Sequence, residues 1–260
     1  MTINTKVAPL AAAIAAFVVG TGIANAALIP GTDASSNSSV FISLAERNNL
    51  NQVVRNLVID TGARALDVFA GTPWSTTPGQ EANILAFVSS AAATSTIVFN
   101  VGGALTDGSF ATDLQGFLTT GNAEGPAIDG FAQLNAGVIN TITKISNANT
   151  GAFNANGVLT ANTPSDPGFH ANGWGDSYGG AIQPSNEVLL GAANQIIGWK
   201  TNANFEIIRS QLGFISSSRQ TGDISFTSTV VPLPATVWLL ASGLGLIAAR
   251  RAARGTRAAS

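Results

Sequence analysis

All fourteen acidic residues lie between Asp33 and Asp223, while the two ends of this 260-residue chain are apolar and carry only positive charge. That partition decides what can fold. The apolar ends are a different kind of sequence from the middle, so a water-soluble core has to come from residues 27–230. Roughly 200 residues remain there, enough for one domain with a real core or two small ones. Seven bases (Arg47, Arg55, Arg64, Lys144, Lys200, Arg209, Arg219) against fourteen acids give this body a net charge of -7, which the whole-chain value of -2 conceals. Charged residues make up only 10% of the chain, against about 25% in an ordinary soluble domain. Asn, which occurs 22 times, together with Ser and Thr, therefore solvates the surface.

Residues 1–26 read as a secretory signal. Lys6 supplies the positive n-region, residues 10–20 (LAAAIAAFVVG) the apolar h-region, and Ala24-Asn25-Ala26 the small-residue cleavage site. The expected mature chain starts at Ala27. Signal peptidase and the Sec translocon are the partners this implies.

At the other end, Val231-Pro232-Leu233-Pro234-Ala235 precedes an uncharged stretch, 235–249, and then Arg250, Arg251, Arg254 and Arg257. As a helix that stretch covers about 22 Å at 1.5 Å per residue, short for a hydrocarbon core of about 30 Å. It spans with local thinning of the bilayer or snorkelling of the arginines. The arginines hold the C-terminus in the cytoplasm, and Trp238 suits the interface, which places the body outside. The two prolines stop any helix arriving from the membrane and leave an extended segment that a processing enzyme can reach.

Pro-x-Pro, an apolar helix with Trp238-Leu239-Leu240-Ala241-Ser242-Gly243-Leu244, and an Arg cluster, in that order, resemble the PEP-CTERM sorting signal in its VPLPA variant. The resemblance covers roughly the last 30 residues. It implies recognition by an exosortase, a membrane-embedded cysteine transpeptidase-like enzyme of Gram-negative bacteria that make exopolysaccharide. Cleavage near the Pro-x-Pro motif would then release or re-anchor the protein at the surface. Leu233 stands where the name-giving motif has Glu, and the tail runs on from Ala252 to Ser260. The LPxTG signal of Gram-positive surface proteins fits less well, because Val237 occupies its Gly position and no spacer precedes the apolar stretch. A plain anchor without processing predicts the same topology and differs only in the mature C-terminus.

Within the body, β-branched or aromatic runs at 40–44, 53–60, 96–101, 204–209 and 223–230 predict strands, with weaker ones at 114–120 and 157–160. Asn156-Gly157 and Asn172-Gly173 are turn dipeptides. Residues 81–91 predict a short helix presenting Ile84, Leu85 and Val88. A longer helix follows Pro126, with Ile128, Phe131, Leu134, Val138, Ile142 and Ile145 at steps of three or four. Gly130 and Gly137 are expected to weaken it by about 1 kcal/mol each relative to Ala. The expected fold is mainly β with one or two helices (α+β): an antiparallel sheet or sandwich with the amphipathic helix packed on it, plus a separate C-terminal transmembrane helix. The layout of the body is similar to that of uncharacterised VPLPA-CTERM proteins, a likeness that implies an exported β-rich domain and carries over no catalytic residue.

Catalytic material is scarce. Without Cys there is no disulfide, thiol nucleophile or Cys-ligated metal, and one His excludes multi-His sites. No basic run inside the body provides a nucleic-acid footprint. His170, between Asp166 and Asp176, is the only imidazole a Ser-His-Asp hydrolase could use, but no G-x-S-x-G elbow nominates a serine. Its Gly/Asn/Pro-rich surroundings predict a solvent-exposed loop. Trp74, Trp174 and Tyr178 are candidates for stacking on sugar rings, and Trp199, after Ile196-Ile197, is expected in the core. These residues imply no metal, no cofactor and no catalytic set. The expectation is a non-enzymatic cell-surface or exopolysaccharide-matrix protein sorted by an exosortase, with a carbohydrate-binding module and a secreted hydrolase as alternatives.

Overall fold

The computed structural model describes residues 28–30, 37–106, 115–121, 128, 130–170, 187–202, 204 and 206–229. The signal segment and the sorting tail with its apolar stretch lie outside them. The described body is mainly β, as expected: ten strands in one antiparallel sheet, with three helices. In chain order the elements are β1 Ser39–Arg47, β2 Val53–Arg64, α1 Ala65–Phe69, β3 Trp74–Ser75, α2 Pro78–Ser89, β4 Thr96–Leu105, β5 Gly116–Gly121, α3 Phe131–Ala148, β6 Val158–Ala161, β7 Val188–Leu189, β8 Asn194–Thr201, β9 Ile207–Ser217 and β10 Ile224–Ser228. The sheet runs β3-β10-β9-β8-β5-β4-β1-β2-β6, and β7 pairs with the first half of β4.

Alternation along β1 explains the layering. Val40, Ile42 and Leu44 point to one face, and Phe41, Ser43, Ala45 and Arg47 to the other. All nine residues of the strand are buried, so both faces are covered. The first face joins a core with Leu57 and Ile59 of β2 and Ile97, Phe99 and Val101 of β4. Leu212, Ile215, Ile224 and Phe226 from the other end of the sheet enter the same core, with Ile84 and Phe87 of α2. The sheet must curl for its distant strands to share one interior. A bulge assists: Ile196 pairs with Gly213 and Ile197 with Gln211, so Leu212 is extra and both Leu212 and Ile215 turn inward.

α3 covers the opposite face. Its Leu134, Val138 and Ile145 are buried, the first two against Phe117 of β5 and Trp199 of β8, whose rings stack at 5.0 Å. Leu28, the second residue of the expected mature chain, docks under the far end of α3 with Phe41, Val58, Ile145 and Leu159. The Asn149 side chain donates to its carbonyl at 2.6 Å.

Most sequence expectations fall on real elements, and the exceptions are informative. α2 begins earlier than periodicity predicted because Thr77 and Gln80 form a reciprocal capping box with Pro78 in the first turn. The strand expected at 204–209 is the start of a longer strand, β9, that begins at Ile207, and β8 had no expectation at all. Gly130 is the N-cap of α3, not an interior position. For Gly137 the sign reverses, since a Cβ there would lie 2.5 Å from the Phe117 ring. Gly137→Ala gains about 1 kcal/mol of helix propensity but incurs about 1–3 kcal/mol of overpacking. Thermal denaturation is therefore expected to show the Ala variant less stable than the parent. A higher melting temperature would contradict this packing.

Candidate functional site

The largest discrepancy with the sequence reading is His170, which is buried at 1% exposure and not in a solvent-exposed loop. Local chemistry puts it there. Asp166-Pro167-Gly168-Phe169 makes a tight turn in which Phe169 N–H donates to the Asp166 carbonyl at 3.2 Å, with Gly168 at φ +73°. Pro followed by Gly at positive φ is the pattern of a type II turn. The turn is fastened to the sheet by Asn56 of β2, whose amide donates to the Gly168 carbonyl and accepts from His170 N–H, both at 2.9 Å. Asn147 of α3 accepts from Gly168 N–H at 2.9 Å. Phe169 is then buried, and the imidazole lies over the α3-side face of β1.

Two side chains hold the ring. Ser43 Oγ is 2.6 Å from Nδ1, and Glu187 Oε1 is 2.7 Å from Nε2. A carboxylate only accepts, so Nε2 carries the proton when the ring is neutral, and Nδ1 accepts from the Ser43 hydroxyl. Glu187 also takes both arms of the Arg47 guanidinium, one at 2.8 Å from Nε and one from Nη2. Arg47 Nη1 donates to the Asn51 carbonyl at 2.6 Å. Burial by itself raises the Glu187 carboxyl, but hydrogen bonds from His170 and Arg47, with their charges, outweigh it and lower the value to about 2. Glu187 is therefore an anion at neutral pH.

Serine, imidazole and carboxylate in sequence are the parts of an acyl-transfer relay. Three features make this arrangement a buried clamp. Ser43 is 0% exposed. It sits in the middle of β1, which pairs with β2 on one side and β4 on the other, so the backbone N–H groups beside it belong to the ladder and are not free to receive an oxyanion. Its imidazole and carboxylate, His170 and Glu187, are anchored on β1 by Ser43 and Arg47 and on β2 by Asn56.

Asp166, a flanking acid in sequence, instead accepts from Asn162 and Thr163 within its own turn, which lowers its carboxyl. Asp176, Trp174, Tyr178 and the Asn172-Gly173 turn lie outside the described residues, as do Ala24, Ala26 and Ala27, the motif Val231 to Ala235, and Arg250, Arg251, Arg254 and Arg257. Trp74 is half-buried on β3 with its ring 6.2 Å from Phe226 and its indole nitrogen buried. Trp199 is core, as expected. Among the described residues no helix is long and apolar enough to cross a membrane.

Ser43, Arg47, Asn56, Asn100 and Glu187 had no place in the sequence reading. A signal was present for two of them: Ser43 in VFISL and Asn100 in TIVFNV interrupt apolar strands at positions that a sheet covered on both faces buries. Comparison with family models, curated proteins and solved structures finds no match to this chain.

Proposed function

We propose that this chain is an exported, non-enzymatic protein of the cell surface or exopolysaccharide matrix, tethered by its C-terminal apolar segment and sorted by an exosortase. The N-terminus is outside and the C-terminus cytoplasmic until the tail is processed. The observation that carries the reading is how closely the two processing signals bracket the sheet. Leu28 is already core two residues after the expected signal cut. Among the described residues Thr229 makes the last sheet contact, its N–H donating to the Leu212 carbonyl at 3.1 Å, two residues before Val231. Each cut would leave the fold whole.

Mass spectrometry of the protein from its native host tests this. The expected mature chain begins at Ala27 and ends within 231–235. An intact Ser260 terminus overturns the processing, and a retained Met1 overturns the export.

The Ser43, His170 and Glu187 hydrogen bonds favour a second reading, a serine hydrolase. Its test is labelling of the native protein with a fluorophosphonate probe. The burial of Ser43 predicts no adduct, and an adduct that disappears in Ser43→Ala would replace the non-enzymatic reading.

A further inference from the structure

Ser43 of β1, Asn100 of β4 and Glu187, the residue just before β7, stand in a row. The register pairs Ser43 with Asn100 and Phe99 with Val188, which carries Glu187 to the position beside Asn100. His170 joins the two ends of that row. The middle member is anomalous: Asn100 is 0% exposed, and neither polar atom of its side chain has a hydrogen-bond partner. A buried unpaired polar group costs about 1–3 kcal/mol, so packing alone would place an apolar residue there.

The two protonation states of the ring explain the amide. With neutral imidazole, Ser43 donates to Nδ1, Nε2–H donates to Glu187, and Asn100 has no part. When the ring takes up a proton, both nitrogens become donors. Nδ1–H then donates to Ser43 Oγ, and the serine hydrogen needs another acceptor. The carbonyls of β1 are engaged in the ladders on either side, and the register sets Asn100 directly opposite Ser43.

We propose that Asn100 is the standby acceptor of a proton-tolerant clamp, in which the Ser43–His170–Glu187 chain closes with the imidazole neutral and with it charged. Among the described residues the charges that reach the ring are Glu187 and, through it, Arg47. The neighbouring side chains on β2 and β4, Asn56 and Asn100, do not titrate. α3 carries one charge, Lys144. His170 and Glu187 therefore stay joined when the surrounding pH changes.

His170 is the only histidine in the chain, so imidazole nitrogen NMR reads it without assignment. The neutral ring is expected as the Nε2–H tautomer, and acidification is expected to protonate Nδ1 while the amide signals of residues 168–170 and 187–189 stay in place. Asn100→Leu should weaken proton binding by His170 about three- to tenfold, the worth of one hydrogen bond. In a Ser43→Ala background the same change should do nothing, because there is no hydroxyl hydrogen to place. An unchanged midpoint in Asn100→Leu, an equal shift in both backgrounds, or a neutral Nδ1–H tautomer overturns the proposal. Asn100→Ala repeats the comparison should the Leu variant not fold, and the tautomer of the parent protein decides independently of either.

Discussion

Glu187→Ala is expected to lower the unfolding free energy by about 3–5 kcal/mol, because it removes the carboxylate that accepts from Nε and Nη2 of the buried Arg47 guanidinium and from His170. The ion pair is well enclosed, with side-chain exposures of 8% for Arg47 and 10% for Glu187. The loss should therefore persist in high salt, unlike that of a surface pair. Replacing both partners, Arg47→Met with Glu187→Leu, should recover much of it, since the guanidinium is then removed together with the carboxylate it binds. Urea denaturation of the parent, the Glu187→Ala variant and the double variant measures the recovery. If the single and double variants were equally unstable, the deficit would come from lost packing and not from an unpaired charge.

The same carboxylate sets an acid limb. Glu187 titrates at about 2 in the folded protein against 4.5 unperturbed, so on acidification the unfolded chain binds its proton first. The stabilisation, on the order of 3 kcal/mol, is complete above pH 4.5 and is lost as pH falls toward 2. Glu187→Ala should lack this part of the pH dependence. A parent and variant with parallel stability curves between pH 5 and 2 would refute the assignment.

Trp199→Ala should destabilise by a similar amount, about 3–5 kcal/mol, for a different reason. Trp199 is 1% exposed, stacked on Phe117 and enclosed by Leu134 and Val138 of α3, so truncation opens a cavity where the helix meets the sheet. Its indole N–H has no partner, and losing it removes no hydrogen bond. Trp199→Phe should accordingly cost only about 1–2 kcal/mol, the reduced volume alone. Denaturant midpoints separate the two substitutions. A Phe variant as unstable as the Ala variant would mean that the N–H, and not the ring, matters.

How much of this was readable beforehand depended on whether the information was local. Runs such as VFISL, LVID and TIVFNV are strands because β-branched and aromatic residues cover a pleated surface, and each lies inside an observed strand. The stripe Leu134, Val138, Ile145 is helical by spacing and is the buried face of α3. β8 escaped because Gly198 and Lys200 break up NQIIGWKT, and the part of β9 beyond Arg209 because its bulge at Leu212 breaks the alternation that identifies a strand. The site escaped for a stronger reason. Ser43 and His170 are 127 residues apart, and Arg47 and Glu187 are 140 apart. Nothing near His170 in the chain reveals that β1 will lie beneath it.

The export and sorting expectations came from the ends of the chain alone, where composition and order are the whole signal: a positive residue, an apolar run and small residues at one end, and Pro-x-Pro, an apolar run and arginines at the other. The sequence also determined that the middle would be β-rich with one amphipathic helix, since periodicity follows from backbone geometry. Only the tertiary structure decided that the lone histidine is core. Burying an imidazole requires a donor and an acceptor at its two nitrogens, and here these are Ser43 of β1 and Glu187 just before β7, brought together because both strands pair with β4 and the turn at Pro167-Gly168 folds onto them.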